Sequence, residues 1–460
     1  MTHRHIAAST ARITKILTVI RRFGICLAML LGSITCFAQE NGDGWWHDLG
    51  DSVLDSLVDV GVHNNYDVAM AARRIDIARA GIGSARAGYF PTIGVSASYA
   101  KGQQSGMQAS PGTKAIGYGY WQGQLDMSWE IDIFGRVTSQ VKESKARVRV
   151  SRAARDGVEL SLIAEIASAY VNLRVSQARL KVAREHLERQ HKALTIAQVR
   201  YDTGLASMMD VDQAQQVYSS TLAAIPGIEN SIRTCINSLA TLLALPATDL
   251  QPLLDGGEIP AYIGLIPKQV DPALLRRRPD VIEAEQTIAV EAEALGITKK
   301  EWLPQLSLEA SVGTESHSAG DLFGKNSITY SVVPTLSWTM FEGLARKYNT
   351  EAARLQMENA IDSYNLTLST AAQEADNALS SYLYGVSEIK ALEDVVKASE
   401  GYDTRALDNY KSGLSPYINV AQAQISYLEN VNSLLLSRGN ALLALISLHK
   451  AVGGTLVPPL

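Results

Sequence analysis

The chain is written twice. The segment Tyr201-Asp202-Thr203-Gly204-Leu205-Ala206-Ser207-Met208-Met209-Asp210-Val211 returns 209 positions later as Tyr410-Lys411-Ser412-Gly413-Leu414-Ser415-Pro416-Tyr417-Ile418-Asn419-Val420. Ser128-Trp129 returns as Ser337-Trp338 at the same offset, and Tyr89-Phe90-Pro91-Thr92-Ile93 as Trp302-Leu303-Pro304-Gln305-Leu306 at an offset of 213. Three anchors recurring in one order exclude chance. The small change of offset places an indel in the loop between strands. A tandem duplication binds the fold: each half must adopt the same supersecondary unit and pack against the other.

Each half holds two stretches with a period of two, predicting strands over about 89–101, 119–133, 302–313 and 327–340. Ile93, Val95, Ala97 and Tyr99 alternate with Thr92, Gly94, Ser96 and Ser98, and Leu125, Met127, Trp129 and Ile131 with Gln124, Asp126, Ser128 and Glu130. Alternation sends one set of side chains to each face of a strand. Two environments require this: a small sheet packed on a core and wet on its other face, or a bilayer-crossing sheet with lipid outside and a watery lumen inside. The length of about ten residues matches a membrane strand. Aromatic residues near the strand ends (Tyr89, Tyr99, Trp121, Trp302, Tyr330) suit interfacial girdles, and the Gly-, Ser- and Gln-rich loops 102–118 and 316–327 suit the outside. Four strands cannot close a barrel, and lipid does not tolerate open edges. A membrane sheet therefore forces oligomerisation, with eight, twelve or sixteen strands as the simple options.

The remainder reads as helix of unusual length. Residues 136–201 contain no Pro and one Gly, Gly157, and Ile166, Leu173, Leu180, Leu187, Leu194 and Tyr201 recur every seven positions. The counterpart stretch 344–410 places Leu368, Ala375, Tyr382, Ile389 and Val396 at the same spacing. A sustained heptad predicts left-handed supercoiled helices, each about 100 Å long at ~1.5 Å per residue. Gly204 and Gly413 suit the left-handed position after a helix end. Ser207 and Ser415 are placed to cap the returning helices, with Asp210 in capping-box spacing and Pro416 at the first helical position. The expected hairpins are about 136–246 and 344–452, with a kink at Pro226. The repeats then run 39–246 and 273–453, joined by a Pro- and Gly-rich linker at 247–272 and followed by a tail at 454–460.

Residues 1–38 read as a signal peptide: Arg4, Arg12, Lys15, Arg21 and Arg22 precede a short apolar core, and Cys36-Phe37-Ala38 offers small residues for cleavage. A second reading of this segment is lipid attachment at Cys36. Past this segment, no run of about 18 uncharged apolar residues predicts a transmembrane helix. Without residues 1–38 the chain carries 37 basic against 47 acidic residues, a poor balance for binding nucleic acid. Cys235 is then the lone thiol, so packing rather than disulfides holds the exported chain.

At this point the sequence resembles a known family, the TolC-like outer-membrane efflux proteins, in their multidrug and nodulation-type (OprM-like) branch. The resemblance rests on Ile266-Pro267 with Leu274-Leu275-Arg276-Arg277-Arg278-Pro279-Asp280, on Trp129-Glu130-Ile131-Asp132-Ile133-Phe134-Gly135-Arg136, and on Ile225-Pro226-Gly227-Ile228-Glu229. It covers about residues 45–453. It implies a mainly α chain with a membrane β-barrel portion: a homotrimer whose twelve strands form one barrel, continued by a helical periplasmic tunnel. It also implies an outer-membrane location, a periplasmic adaptor (membrane fusion) protein and an inner-membrane RND-type transporter as partners, and export of drugs or other small toxic compounds. The adaptor would contact the tips at Gly204, Leu205, Ala206, Ser207, Gly413, Leu414 and Ser415. The family closes its pore near the tip with apolar and acidic rings, which map here to Ile418 and Gln422, with Met209 and Gln213 as repeat counterparts. Gln422 replaces the family's carboxylate, which argues against a cation-binding acidic gate. The alternative for these four is hairpin packing. Two other functions stay open: an exported coiled-coil scaffold and a type I protein-secretion duct.

No catalytic constellation, cofactor motif or metal set emerges, so the chain is expected not to be an enzyme. His186 and His191 miss the i, i+4 spacing of paired ligands and are expected on the solvated side of the helix. Gly81-Ile82-Gly83 lacks a third glycine and a preceding strand. The Arg276–Arg278 run reads as a solvated turn, to which the family resemblance adds a packing role.

Overall fold

The computed structural model describes residues 44–104, 116–254 and 256–456. The expected signal peptide, Cys36 and most of the first strand loop lie outside the described residues. A 3-10 turn at Trp45–Leu49 leads into α1 (Ser52–Asn64) and α2 (Tyr66–Ala87), then β1 (Thr92–Gln104), β2 (Ile116–Ile131), α3 (Arg136–Asp202) and α4 (Met208–Leu243). After α5 (Ala247–Leu254) and α6 (Pro272–Leu275), the second half follows: α7 (Pro279–Lys300), β3 (Gln305–Ser316), β4 (Ile328–Ser337), α8 (Ala345–Lys411) and α9 (Tyr417–Ala451). The duplication is exact in length where it matters: α3 and α8 both have 67 residues, and α2 and α7 both have 22.

The four strands make one antiparallel sheet in the order β1-β2-β3-β4. Its register keeps like with like. Val95, Leu125, Val312 and Tyr330 form one row across the sheet, and Gly94, Asp126, Ser311 and Ser331 form the adjacent one. Partners in a ladder share a face, so one face is apolar and the other polar. Each half locks its strands to the preceding turn identically. Trp129 Nε1 donates to the Tyr89 carbonyl at 3.0 Å, and Trp338 Nε1 to the Trp302 carbonyl at 3.1 Å. The first strand begins at Thr92 rather than near 89, because Gly88 to Phe90 close turns onto the end of α2.

The Trp129–Arg136 motif is a strand-to-helix joint. Gly135 takes a φ of +74°, and Asp132 accepts from the backbone N–H groups of Val137 and Thr138 at 3.0 and 2.9 Å, capping α3 from behind. Arg136 pairs with Glu130 across the bend.

Both long helices pack as the heptads predict in kind, though not in every position. The largest apolar core joins Trp45, α1, the proximal part of α3, the end of α4 and α5, with Ile166, Tyr170, Leu173 and Leu239 fully buried. A second core joins α6, α8 and the end of α9. In the distal part of α3 the buried seam is Ala183, His186, Gln190, Ala193 and Ala197, while Leu180, Leu187 and Leu194 are half-buried and Tyr201 is exposed. His186 therefore lies inside, 3% exposed, and not on the solvated side; its ring sits 4.9 Å from that of Tyr427 on α9. Burial, with Arg189 nearby, lowers its imidazole pKa to about 4. His191 is exposed, as expected.

The expected linker opens with α5 and is clasped rather than loose. Arg174 donates to the Leu254 carbonyl at 3.2 Å, and Ile263 N–H to the Asp48 carbonyl at 2.9 Å. Arg276 and Arg277 are exposed, but Arg278 is buried and donates to the Ala451 carbonyl, Asp280 and Glu374 at 3.0, 2.7 and 2.8 Å. Its run is a solvated turn only in part. Helix α4 continues through Pro226 as one element. Helix α9 is long and apolar enough to cross a bilayer, yet half of its most apolar window is buried within the protein. Its apolarity is that of a packed helix.

Candidate functional site: an uncovered apolar sheet and two hairpin tips

The sheet exposes what a soluble protein would cover. Val95 is 81% exposed, Tyr330 83% and Leu336 67%, and Ile93, Tyr99, Trp121, Leu125, Ile328 and Val332 are exposed beside them. A soluble sheet packs its apolar face on a core; here nothing in the described chain covers it. The polar face carries its own hydrogen-bond ladder, Gln122 Nε2 to Gln124, Gln124 Nε2 to Asp126, and Ser96 Oγ to Asp126, at 2.7, 2.6 and 3.1 Å. Below the sheet, Phe90, Ile133, Phe134, Trp302, Trp338 and Phe341 are exposed at the joints with the helices, an interfacial belt.

The far ends of the hairpins are built alike. At the end of α3, the N–H of Leu205 donates to the Arg200 carbonyl at 2.7 Å and that of Gly204 to the Tyr201 carbonyl at 2.9 Å. At the end of α8, Leu414 donates to Asn409 at 2.9 Å and Gly413 to Tyr410 at 3.0 Å. These are paired Schellman closures, with φ of +73° at Gly204 and +76° at Gly413. Ser207 is the N-cap residue of α4, but its hydroxyl bonds Asp210 at 3.3 Å instead of capping a backbone N–H. Ser415 does not cap α9. Pro416 holds that position and Tyr417 begins the helix, while Asn419 Nδ2 donates to Ser415 Oγ at 2.8 Å. The fully buried ring of Tyr417, 5.1 Å from that of Tyr410, fixes where the helix starts.

The tips of the two hairpins pack on each other within the chain. Ala193, Ala197, Val211, Ala214, Val217, Ala406, Tyr410, Val420 and Ala423 belong to one buried cluster. Arg200 lies 5.0 Å from the Tyr410 ring centre and donates to the Lys411 carbonyl at 2.8 Å, and Tyr410 Oη donates to Asp210 at 3.3 Å. Burial, with Asp210 adjacent, raises the Tyr410 phenol pKa. Sequence reasoning singled out the glycines and missed this pairing of Arg200, Asp210 and Tyr410, although the last two lie on the repeated motif.

The four residues expected near the pore lie outside that cluster. Ile418 is 49% exposed, and Gln422 shares its open face one turn along α9. On α4, Met209 is exposed and Gln213 half-buried, its Oε1 without a hydrogen-bond partner. At the tips, Leu205 and Leu414 project as exposed apolar side chains at equivalent positions, with Gly204, Ser207 and Gly413 exposed around them and Ala206 and Ser415 half-buried.

A lipid-type sheet with polar inner face, joined through an aromatic belt to paired helices of about 100 Å, is one stave of an outer-membrane channel that continues into the periplasm. The family model of the outer membrane efflux proteins matches the chain twice, over residues 58–245 and 272–454, once per repeat. The chain belongs to the outer membrane efflux protein family, whose members are passive channels and not enzymes. It is 26% identical over 414 residues to the probable efflux pump outer membrane protein TtgC of Pseudomonas putida, covering 89% of this chain and 85% of that one. It is 27% identical to nodulation protein T of Rhizobium leguminosarum bv. viciae, covering 84% and 80%. Its fold matches the outer-membrane channel OprN with a TM-score of 0.83 at 26% identity, covering 90% of this chain and 93% of that one. VceC of Vibrio cholerae shares the fold with a TM-score of 0.79 at 24% identity, covering 90% and 99%.

Proposed function

We propose that this chain is the outer-membrane duct of a tripartite efflux system, assembled as a homotrimer with one twelve-stranded barrel, and that it passes small toxic molecules delivered from the periplasm. The observation that carries the assembly is the uncovered apolar sheet with two unpaired edges, β1 and β4. In lipid each unpaired backbone group costs several kcal/mol, and joining β4 of one copy to β1 of the next removes both edges. The uncovered apolar face also disfavours the soluble scaffold reading. Relatives named for efflux of antibiotics, toluene and solvents favour small molecules over secreted proteins. Energy comes from a partner, read here as an inner-membrane RND-type transporter.

The tips are the docking point for a periplasmic adaptor. Leu205 and Leu414 are exposed apolar side chains at a wet helix end, suited to grooves on a partner. Ile418 and Gln422, with Met209 and Gln213, narrow the duct beside the tip, where their open faces are free of the chain's own core. An amide in place of a carboxylate makes that narrowing neutral.

Single-channel conductance of the purified trimer in a planar bilayer tests the duct and the constriction together. Wild type is expected to show small, mostly closed conductance, rising several-fold in Ile418→Ala/Gln422→Ala. A conductance unchanged by both substitutions moves the constriction elsewhere and leaves the duct. A folded oligomer that never conducts overturns the duct.

A further inference from the structure

The aromatic residues of the sheet do not all belong to its apolar face. Toward the outer end of β2, Trp121 stands on that face with Tyr99 of β1, ring centres 4.6 Å apart, as a lipid girdle requires. Alternation sends Tyr118 and Tyr120 to the other face, in the column that continues through Gln122, Gln124 and Asp126. Their rings stack, with centres 6.1 Å apart and planes 26° apart. Across the ladder they meet Gly102 and Ala100, so no large side chain of β1 competes for the space. The Tyr118 ring uses it: a Cβ on Gly102 would come within 2.6 Å of the Tyr118 hydroxyl. In the next row, Gln122 pairs with Glu315 of β3, which makes that exposed carboxylate a diagonal neighbour of Tyr120 on the same face, about 7–8 Å away. The four strands place Asp126, Glu130, Glu309 and Glu315 on this face and no lysine or arginine; Lys101 falls on the apolar one. Lipid accounts for Trp121 and Tyr99. It does not account for Tyr118 and Tyr120.

We propose that Tyr118 and Tyr120, with Glu315 beside them, form a collar inside the outer mouth of the barrel that binds organic cations, amines or quaternary ammonium groups carrying an aromatic body. The inference rests on the duct reading, which puts the polar face in the lumen and lines the mouth with one tyrosine pair from each copy. An aromatic ring presents a negative face that attracts a cation within about 6 Å, and a second ring beside it lets the aromatic body of the same molecule stack. Glu315 adds a charge that a cation meets and an anion is turned from. The three contacts together rank a ring-bearing cation above a neutral ring, and a neutral ring above an anion. Tyr118 is exposed and Tyr120 half-buried, so each contact is weak. Weak contacts suit an exit, where a molecule must be held loosely enough to leave.

Calorimetric titration of the detergent-solubilised protein tests the collar without requiring conduction. The probes are benzyltrimethylammonium and benzenesulfonate, single rings of opposite charge. The cation is expected to bind and the anion not. Tyr118→Leu with Tyr120→Leu is expected to weaken the cation about tenfold, the loss of two exposed cation–π contacts. Tyr118→Phe with Tyr120→Phe keeps the affinity, because the ring face and not the hydroxyl carries it. Glu315→Gln weakens the cation several-fold at low salt and removes most of the salt dependence. Equal affinity for the two probes, or cation binding unchanged in the leucine pair, overturns the collar. Should the leucine pair fail to assemble, Glu315→Gln decides, and an unchanged low-salt affinity in it overturns the collar. The duct is read separately, as current in a planar bilayer. A protein that conducts without tyrosine-dependent binding keeps the duct and loses the collar, whereas one that binds the cation through the tyrosines and never conducts loses the duct.

Discussion

The two long helices have one length and one place in their repeats, yet they bury different faces. Helix α8 buries Ser399, Asp403, Ala406 and Tyr410, whose counterparts on α3 are Gln190, Leu194, Ala197 and Tyr201. Of these, α3 leaves Leu194 half-buried and Tyr201 exposed. It buries His186 and Ala193 instead, and their counterparts Val395 and Tyr402 are exposed on α8. The reason is location. Helix α3 is packed along its length by α4 on one side and α9 on another, whereas the distal part of α8 packs chiefly on α9 and meets α3 and α4 only around Ala406 and Tyr410. The lesson is that duplication copies the helix and not its surroundings, and that the face left open on α8 is the one a neighbouring copy would cover.

Charges on that face give the largest expected effect. Val395→Asp with Tyr402→Asp buries unpaired carboxylates in a subunit contact, at about 3 kcal/mol or more per interface. The protein is then expected to run as a monomer in light scattering of the detergent-solubilised sample. A trimer that persists would break the comparison, because α8's open face would then face water.

Acid gives the next largest effect and, of the two long helices, tells on α3 through His186. The folded pKa of His186 is about 4, below the usual 6.5 of histidine. Above 6.5 both folded and unfolded forms are neutral there. As pH falls toward 4 the unfolded chain binds a proton that the folded seam refuses, and stability drops by about 2 kcal/mol. Arg189 on α3 and the Tyr427 ring on α9 lie beside the site, with Glu400 and Asp403 of α8 near Tyr427, and the burial of His186 dominates. Melting temperatures at pH 7.5 and 4.5 should therefore diverge less in His186→Val, which installs the α8 residue, than in wild type. Equal acid losses in both would place the sensitivity elsewhere.

The smallest effect sharpens the similarity. Gly204→Ala and Gly413→Ala each force a side chain into the left-handed region, at about 1 kcal/mol. Chemical denaturation should report near-equal losses for the two, since both close the same hydrogen-bonded turn. A large inequality would mean that one tip is held by contacts the other lacks.

Much of the architecture is legible from the chain because it is local or periodic. Hairpin ends fall within a residue or two of the structure at Arg136, Asp202, Ala345 and Lys411, since glycines and helix-length heptads announce them. The strands are displaced by about three residues at Thr92 and Gln305, where turns after α2 and α7 consume the aromatic residues. The helices α1 and α2 carry no heptad or repeated motif strong enough to declare them. At the tips, the glycine motif is plain in the sequence, but the contact of Arg200 and Asp210 with Tyr410 spans both repeats and has no local signal.

The sequence by itself determined the duplication, the two-faced strands and the length of the hairpins, because each follows from spacing along the chain; the need for more than one copy followed only for strands that lie in lipid. Only the tertiary structure decided that His186 is inside and Val395 outside, and that Arg278 is buried beside solvated arginines. A heptad states that a helix has a buried face. Which face it is, and how many, depends on the neighbours, and equal repeats here have unequal neighbours.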